Sequence, residues 1–244
     1  MSLNDWNYEP AKDLDQNLIG RLRNFPREPD ITVYLLRSLA ALTIRTWFRI
    51  YHRLTIIGKE NLPVNGSYVV VANHSSHLDA LCLSSIIPLK SLHRVFPVAA
   101  MDYFFKTASR TIFSAIFINA LPFGRFSNTK HSLKLCQELL SNNGNILVIF
   151  PEGTRSQTGE IGEFKPGVGF LLAGTTIPAI PCYIDGAFQS CPKGSFWPRP
   201  RKIHITIAAP QYFSNSPEGK ESAEKISDSL KQSVLDLKHS IPNK

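Results

Sequence analysis

This 244-residue chain predicts a single α/β domain with a mixed, mostly parallel sheet flanked by helices, preceded by an N-terminal amphipathic helical segment. Three observations lead there. Apolar runs such as Tyr68–Ala72 and Ile146–Phe150 lack polar alternation, the mark of strands buried on both faces. Helical stretches separate several such runs, as parallel strands joined by crossovers require. Hydrophobic residues make up 43% and charged residues 19%, enough to build a core without disulfides or metals. The segment boundary falls after residue 54: an amphipathic helical part over 1–54, the α/β domain over 55–244.

The first thirty residues are polar and carry four basic and six acidic side chains, unlike the basic-then-apolar pattern of a signal peptide. Ser2 stands where a myristoylation signal needs glycine. Four scattered cysteines (Cys82, Cys136, Cys182, Cys191) include no CxxC pair, which excludes a zinc ribbon and a redox dithiol and suits a reducing compartment. These features predict a protein on the cytoplasmic side. A short helix near Asp15–Arg23 is expected to pack beside the longer one that follows.

From Ile31 to Arg53 apolar residues are dense, yet Arg37, Arg45, Arg49 and Arg53 recur at multiples of four. On a helix they share one arc. The charge-free runs are about seven residues, far short of the ~20 a spanning helix needs. One reading is a helix lying in a membrane interface, with its apolar face in the acyl boundary and its arginines on phosphates. The other is a helix packed on the protein's own core with solvated arginines. The segment alone leaves both open.

Strands are expected at Leu54–Ile57, Tyr68–Ala72, Val95–Ala99, Ile146–Phe150, Ala179–Ile184 and Ile203–Ala208. Thr111–Gly124 is uncharged for fourteen residues, the length of a buried core helix or a re-entrant segment. Thr129–Ser141 reads as a helix that Asn142, Asn143 and Gly144 stop. Pro166–Ile184 is uncharged for longer, but three glycines and two interior prolines break it up. A last helix should run from about Glu218 to Ser240, with Ile226, Leu230, Val234 and Leu237 on one face.

Functional groups in such sheets gather past the carboxyl ends of strands, and two polar clusters sit there. In the first, the Val69–Ala72 run leads into Asn73, His74 and, five residues on, Asp79. Five residues on a helix is about 140° from the starting face. The pair therefore meets only if the turn carries the histidine back over the first helical turn. If it does, Asp79 fixes the tautomer and the other ring nitrogen is a base, worth roughly 10²–10⁴-fold in rate. Alone, such a pair is more often a strand-end histidine and a helix N-terminal charge. His77 is a competing base. In the second cluster an apolar strand runs into Pro151, Glu152, Gly153, Thr154 and Arg155, where glycine admits close backbone approach and arginine offers a fork for phosphate. Arg125 follows another apolar stretch, and Lys165 opens a helix whose N-terminus favours anions by about 0.3–1 kcal/mol. Singly, each basic residue is more often a solvated charge.

In combination they are not generic. Asn-His-x4-Asp at 73–79, an arginine at 125, Pro-Glu-Gly-Thr-Arg at 151–155 and Ile-Pro-Ala-Ile-Pro at 177–181, in that order, resemble the glycerolipid acyltransferase family typified by 1-acylglycerol-3-phosphate acyltransferase. The resemblance covers roughly residues 55–210. It implies that His74 is the general base and Asp79 its orienting partner. It also implies that an acceptor hydroxyl attacks an acyl thioester and that coenzyme A or acyl carrier protein leaves. No metal and no cofactor beyond that donor is implied. Glu152, Gly153, Thr154 and Arg155, with Arg125 and Lys165, would hold the glycerol phosphate of a lysolipid. The block at 177–181 would be largely structural, and N-terminal helices docked on a bilayer are a further family feature. One departure stands out: the family's basic residue ahead of the second-block arginine is missing from Thr111–Gly124. That leaves room for another lysolipid or an aminolipid acceptor.

The net charge of +8 and a pI near 9.4 call for an anionic partner. An anionic membrane surface fits better than nucleic acid, since the aromatics do not interleave with the cations as a single-strand platform requires. Trp197 with Arg199, Arg201 and Lys202 would meet anionic lipid, the phosphates of coenzyme A or an acidic carrier protein; the sequence leaves these open. A serine lipid hydrolase using Ser75 or Ser76 is the alternative chemistry, without a G-x-S-x-G elbow to support it.

Overall fold

A computed structural model describes residues 31–100, 118–124, 129–195 and 197–240. The helix expected near Asp15–Arg23 and the candidate Arg125 lie outside them. Among the described residues six α-helices run α1 (Ile31–Ile50), α2 (Asp79–Ile86), α3 (Thr129–Ser141), α4 (Gly167–Leu172), α5 (Ala187–Ser190) and α6 (Lys220–Ser240). Seven strands among them run β1 (Thr55–Ile57), β2 (Tyr68–Ala72), β3 (Val95–Ala100), β4 (Leu121–Phe123), β5 (Ile146–Ile149), β6 (Ala179–Asp185) and β7 (His204–Ile207). They form one sheet in the order β1-β7-β6-β2-β5-β3-β4. Every neighbouring pair is parallel except β6 with β7. The mixed, mostly parallel sheet is the predicted one.

Side chains alternate across a strand, so the central strands feed two cores. Val70 and Ala72 of β2 pack with Val148, Ile180 and the α2 residues Cys82, Leu83 and Ile86. Val69 and Val71 pack with Leu147, Leu139 and Leu140 of α3, Leu171 of α4 and Ile226, Leu230 and Val234 of α6. Burial on both faces explains the unbroken apolar runs. Gly169 lets α4 lie against α6: a Cβ there would sit 1.9 Å from the Ala223 carbonyl oxygen.

Two expectations need adjusting. Leu121–Phe123, inside the stretch read as a core helix or re-entrant segment, is a strand paired in parallel with β3. Three residues are too few to display a strand period. In α1 the arginines do not all face outward. Arg37 is buried, and Arg45 donates to the carbonyls of Ser84 (3.4 Å) and Ile87 at the end of α2, which lack intrahelical partners. Phe48 is fully buried in the first core. The outward stripe is instead Ile31, Leu35, Leu39 and Leu42, between 54% and 77% exposed.

Val71 of β2 is in register with Ile149 of β5, so the two strands end side by side. Both polar clusters therefore begin at one edge of the sheet.

Candidate active site

Where β2 ends, the Asn73 amide makes a two-way bond with β6: its Nδ2 donates to the Ile184 carbonyl (3.0 Å) and its Oδ1 accepts from the Ile184 N–H (2.8 Å). This extra rung fixes the backbone at the next residue, His74. The chain then turns into α2, whose first residue is the fully buried Asp79. One Asp79 oxygen, Oδ2, accepts from His74 Nδ1 (2.8 Å), Ser75 N (2.7 Å) and Ser76 N (2.8 Å). The turn thus wraps around the carboxylate and brings the imidazole back over the helix start, overcoming the five-residue offset. With Asp79 accepting, the proton is assigned to Nδ1 and Nε2 is left as the basic nitrogen. Phe150 stacks on the imidazole, centroids 4.2 Å apart and planes 19° apart.

The second cluster grips the first. Glu152 is buried, and its Oε1 accepts from the His74 backbone N–H (2.7 Å) while Oε2 accepts from Gly162 N–H (3.0 Å). The Ser156 N–H donates to the His74 carbonyl (2.8 Å). Both backbone groups of His74 are thus held from the second turn, and both Glu152 oxygens are occupied by amides rather than turned toward a ligand. Burial pushes the Glu152 carboxyl above its usual range, against the two amide bonds that pull it down. Gly153 has a φ of +71°, and a Cβ there would lie 2.9 Å from Lys165 Nζ, so the lysine crosses the turn at its one side-chain-free position. Thr154 is exposed at the tip, and Arg155 is half-buried with Nη1 lacking a hydrogen-bond partner among the described residues.

His74, Phe150, Gly153 and Lys165 line a cavity of about 850 Å³ whose other walls are mostly apolar, among them Val98, Phe123, Leu133 and Phe170. On the other side of the Glu152–Ser156 turn, Thr154, Arg155 and Lys193 line a polar hollow of about 510 Å³. His77 is exposed and lines neither cavity; partial desolvation and repulsion by the nearby Arg155 guanidinium lower its imidazole to about 4. The Ser76 hydroxyl is fully buried, donating to the Cys191 carbonyl (2.7 Å) and accepting from Leu78 N–H (3.1 Å). Ser75 is buried too. Such a bonded, enclosed Ser76 hydroxyl is a brace, not a nucleophile.

A family model described as Acyltransferase matches residues 53–185, more than half of the chain. The chain belongs to the Acyltransferase family. A putative 1-acyl-sn-glycerol-3-phosphate acyltransferase of Caenorhabditis elegans is 32% identical over 129 residues, 52% of this chain and 44% of its own length. A chloroplastic 1-acyl-sn-glycerol-3-phosphate acyltransferase of Arabidopsis thaliana is 32% identical over 152 residues, 59% of this chain and 39% of its own. The alpha form of that enzyme from Mus musculus is 27% identical over 192 residues, 76% of this chain and 63% of its own. The chain spans about half the length of the curated relatives it matches. The crystal structure of PlsC, the 1-acyl-sn-glycerophosphate acyltransferase of Thermotoga maritima, has the same fold, with a TM-score of 0.65 at 23% identity over 87% of this chain and 81% of that one.

Within this family member the structure adds groups that sequence reading passed over. Asn73 was in view as the neighbour of His74, but its partner lies 111 residues away and leaves no local signal. Phe150 and Lys193 are similar cases, while Ser76, a candidate nucleophile in the sequence, braces the turn instead. Among the described residues no three His, Cys, Asp or Glu side chains converge on a point where a metal would sit.

Proposed function

We propose that the protein transfers a fatty acyl group from an acyl thioester, acyl-CoA or acyl carrier protein, to the free hydroxyl of 1-acyl-glycerol-3-phosphate, giving phosphatidic acid. The observation that carries this reading is the His74–Asp79 pair at the mouth of an apolar cavity. His74 Nε2 takes the acceptor's hydroxyl proton as the oxygen attacks the thioester carbonyl. Buried Asp79 stabilises the imidazolium that forms. Collapse of the tetrahedral intermediate breaks the carbon–sulfur bond, and the imidazolium returns the proton to the departing sulfur. No acyl-enzyme is needed. Glu152 acts by holding the backbone of His74. Lys165, on the cavity wall with His74, serves the acceptor phosphate together with Arg125, while Arg155 adds its charge from the adjoining hollow and Gly153 and Thr154 shape the turn. The apolar cavity, within the size range of ligand pockets, suits an acyl chain.

Association with an anionic bilayer from the cytoplasmic side completes the proposal. It is supported by the leucine stripe of α1 and by four cysteines that are all free and buried. Among the described residues no helix is long and apolar enough to cross a membrane.

The test is a mass-spectrometric screen in which purified protein receives acyl-CoA or acyl carrier protein with a panel of lysolipids. Phosphatidic acid from lysophosphatidic acid is the expected product. Acylation of a different lysolipid alone would replace the acceptor assignment, and release of free fatty acid without transfer would overturn the reaction class.

A further inference from the structure

The segment between α5 and β7 carries four basic residues and no acidic one over positions 191–202. Trp197 stands 85% exposed in it, and Arg199, Arg201 and Lys202 are exposed as well. Exposed side chains on a loop usually ride on a mobile backbone. Here the backbone is held by side-chain donors, one carbonyl after another. The Trp197 carbonyl accepts from Ser195 Oγ (3.3 Å), Pro198 from Tyr51 Oη (2.9 Å), Arg199 from Ser190 Oγ (2.9 Å), Pro200 from Arg53 Nη2 (3.2 Å) and Arg201 from His52 Nδ1 (3.1 Å). The Arg199 N–H donates to the Ser190 carbonyl (2.8 Å), and Pro198 and Pro200 fix two φ angles. The result is a rigid ridge that presents one indole and three cations to solvent with their ordering cost already met.

Three of those five carbonyls are held by Tyr51, His52 and Arg53, the residues that leave the C-terminal end of α1. The ridge therefore adjoins the C-terminal end of α1, the helix whose N-terminal half carries the leucine stripe. Its other end meets the active-site turn, since Ser76 bridges Pro192 in the backbone and its hydroxyl bonds to the Cys191 carbonyl.

We infer that the 197–202 ridge is a docking surface for an anionic lipid bilayer, with Trp197 seated at the headgroup level and Arg199, Arg201 and Lys202 on lipid phosphates. Indole rings favour that depth, and juxtamembrane cations are drawn to anionic leaflets. A coenzyme A nucleotide would need walls, whereas among the described residues the concavity at Trp197 is lined by Ser195, Pro198, Arg199 and Pro200 from this one segment. An acidic carrier protein would find the charge but offers no apolar layer for an indole that stands 85% exposed. The inference rests on the reading that the reaction takes place at a bilayer, and it names which surface meets the lipid.

The experiment compares the wild type with an Arg199→Gln/Arg201→Gln/Lys202→Gln variant on vesicles of phosphatidylcholine alone and mixed with phosphatidylglycerol. Each cation is worth about fivefold in partition, so the triple variant should bind mixed vesicles roughly a hundredfold more weakly. Its kcat and KM for acyl-CoA should be unchanged on a short-chain, monomeric acceptor. The fluorescence difference between wild type and Trp197→Phe should shift to the blue on mixed vesicles and be quenched by brominated lipid. Unchanged vesicle affinity in the triple variant overturns the inference. So does a raised KM for acyl-CoA with the soluble acceptor, which would assign the ridge to the donor's phosphates. A loss confined to reactions fed by acyl carrier protein, with vesicle binding intact, overturns it in favour of the carrier. If the acyl-transfer reading itself fails, the wild type transfers nothing to the soluble acceptor, and the vesicle measurement still decides the ridge.

Discussion

Replacing Asp79 by Asn tests the pair on which the proposed chemistry depends. Asp79 Oδ2 serves three donors, His74 Nδ1 and the amides of Ser75 and Ser76, while Oδ1 is buried without a hydrogen-bond partner. An asparagine that places its carbonyl oxygen at the Oδ2 position keeps all three bonds and the tautomer. What it loses is the charge facing the imidazolium. At 2.8 Å and an effective dielectric of about 20, two unit charges attract by about 6 kcal/mol. The amide dipole retains part of that, leaving a loss of roughly 3–5 kcal/mol, or 10²–10⁴-fold in kcat. Two backbone bonds also become neutral ones, at a cost of about 2–3 kcal/mol together and a fall in Tm of roughly 4–12 °C. The assay is steady-state acyl transfer at a temperature where circular dichroism shows the variant folded. A folded Asp79→Asn protein within tenfold of wild-type kcat would refute the general-base argument.

Three further sets of substitutions have outcomes that follow from the structure. Glu152→Gln keeps one acceptor for two amides, so kcat should fall at least tenfold while KM for the acceptor changes little. A large KM effect alone would restore Glu152 to direct substrate contact. Burial raises the Glu152 pKa in the folded state, so the stability this group contributes is full below its unfolded pKa of about 4.3 and is lost as pH rises through the folded value. The Tm advantage of wild type over Glu152→Gln should therefore widen on going from pH 7 toward pH 4. Gly169→Ala puts a methyl group into the Ala223 carbonyl, which is backbone and cannot rotate away. About 3 kcal/mol of overpacking and a fall in Tm of roughly 6–12 °C are expected by calorimetry, and an unchanged Tm would contradict the close approach of α4 and α6. Replacing Leu35, Leu39 and Leu42 by Ser should weaken vesicle binding in a flotation assay yet leave Tm within about 1–2 °C, because these side chains are exposed. A collapse in Tm would mean that the stripe packs on the protein.

What the sequence made legible depended on how local its cause was. The runs at β2 and β5 were readable because each residue of β2 is buried and alternate positions feed opposite cores. His74 and Asp79 were readable as chemistry but not as geometry. Their meeting depends on a turn closed around one oxygen and braced by Ser76 on a carbonyl 115 positions away. Strand β4 escaped notice because three residues carry no period and its pairing with β3 is long-range. The arginine arc of α1 was visible on a helical wheel, which says what is clustered but not which way it turns. The carbonyls at the end of α2 claim Arg45, and that decides the matter. Glu152 sat inside a recognised motif, yet nothing in five consecutive letters tells a ligand contact from a clamp on another segment's backbone.

The anchoring of Ser76 bears on where this chain can be cut. The family match stops at residue 185, and a minimal fragment trimmed there would retain each hallmark residue named above. It would nevertheless lack Cys191, whose carbonyl receives the Ser76 hydroxyl, and the whole of β7, which sits between β6 and β1. Such a fragment would leave β6 as a bare sheet margin and set β1 adrift, so the smallest working unit extends past the recognisable block to the far side of residue 207.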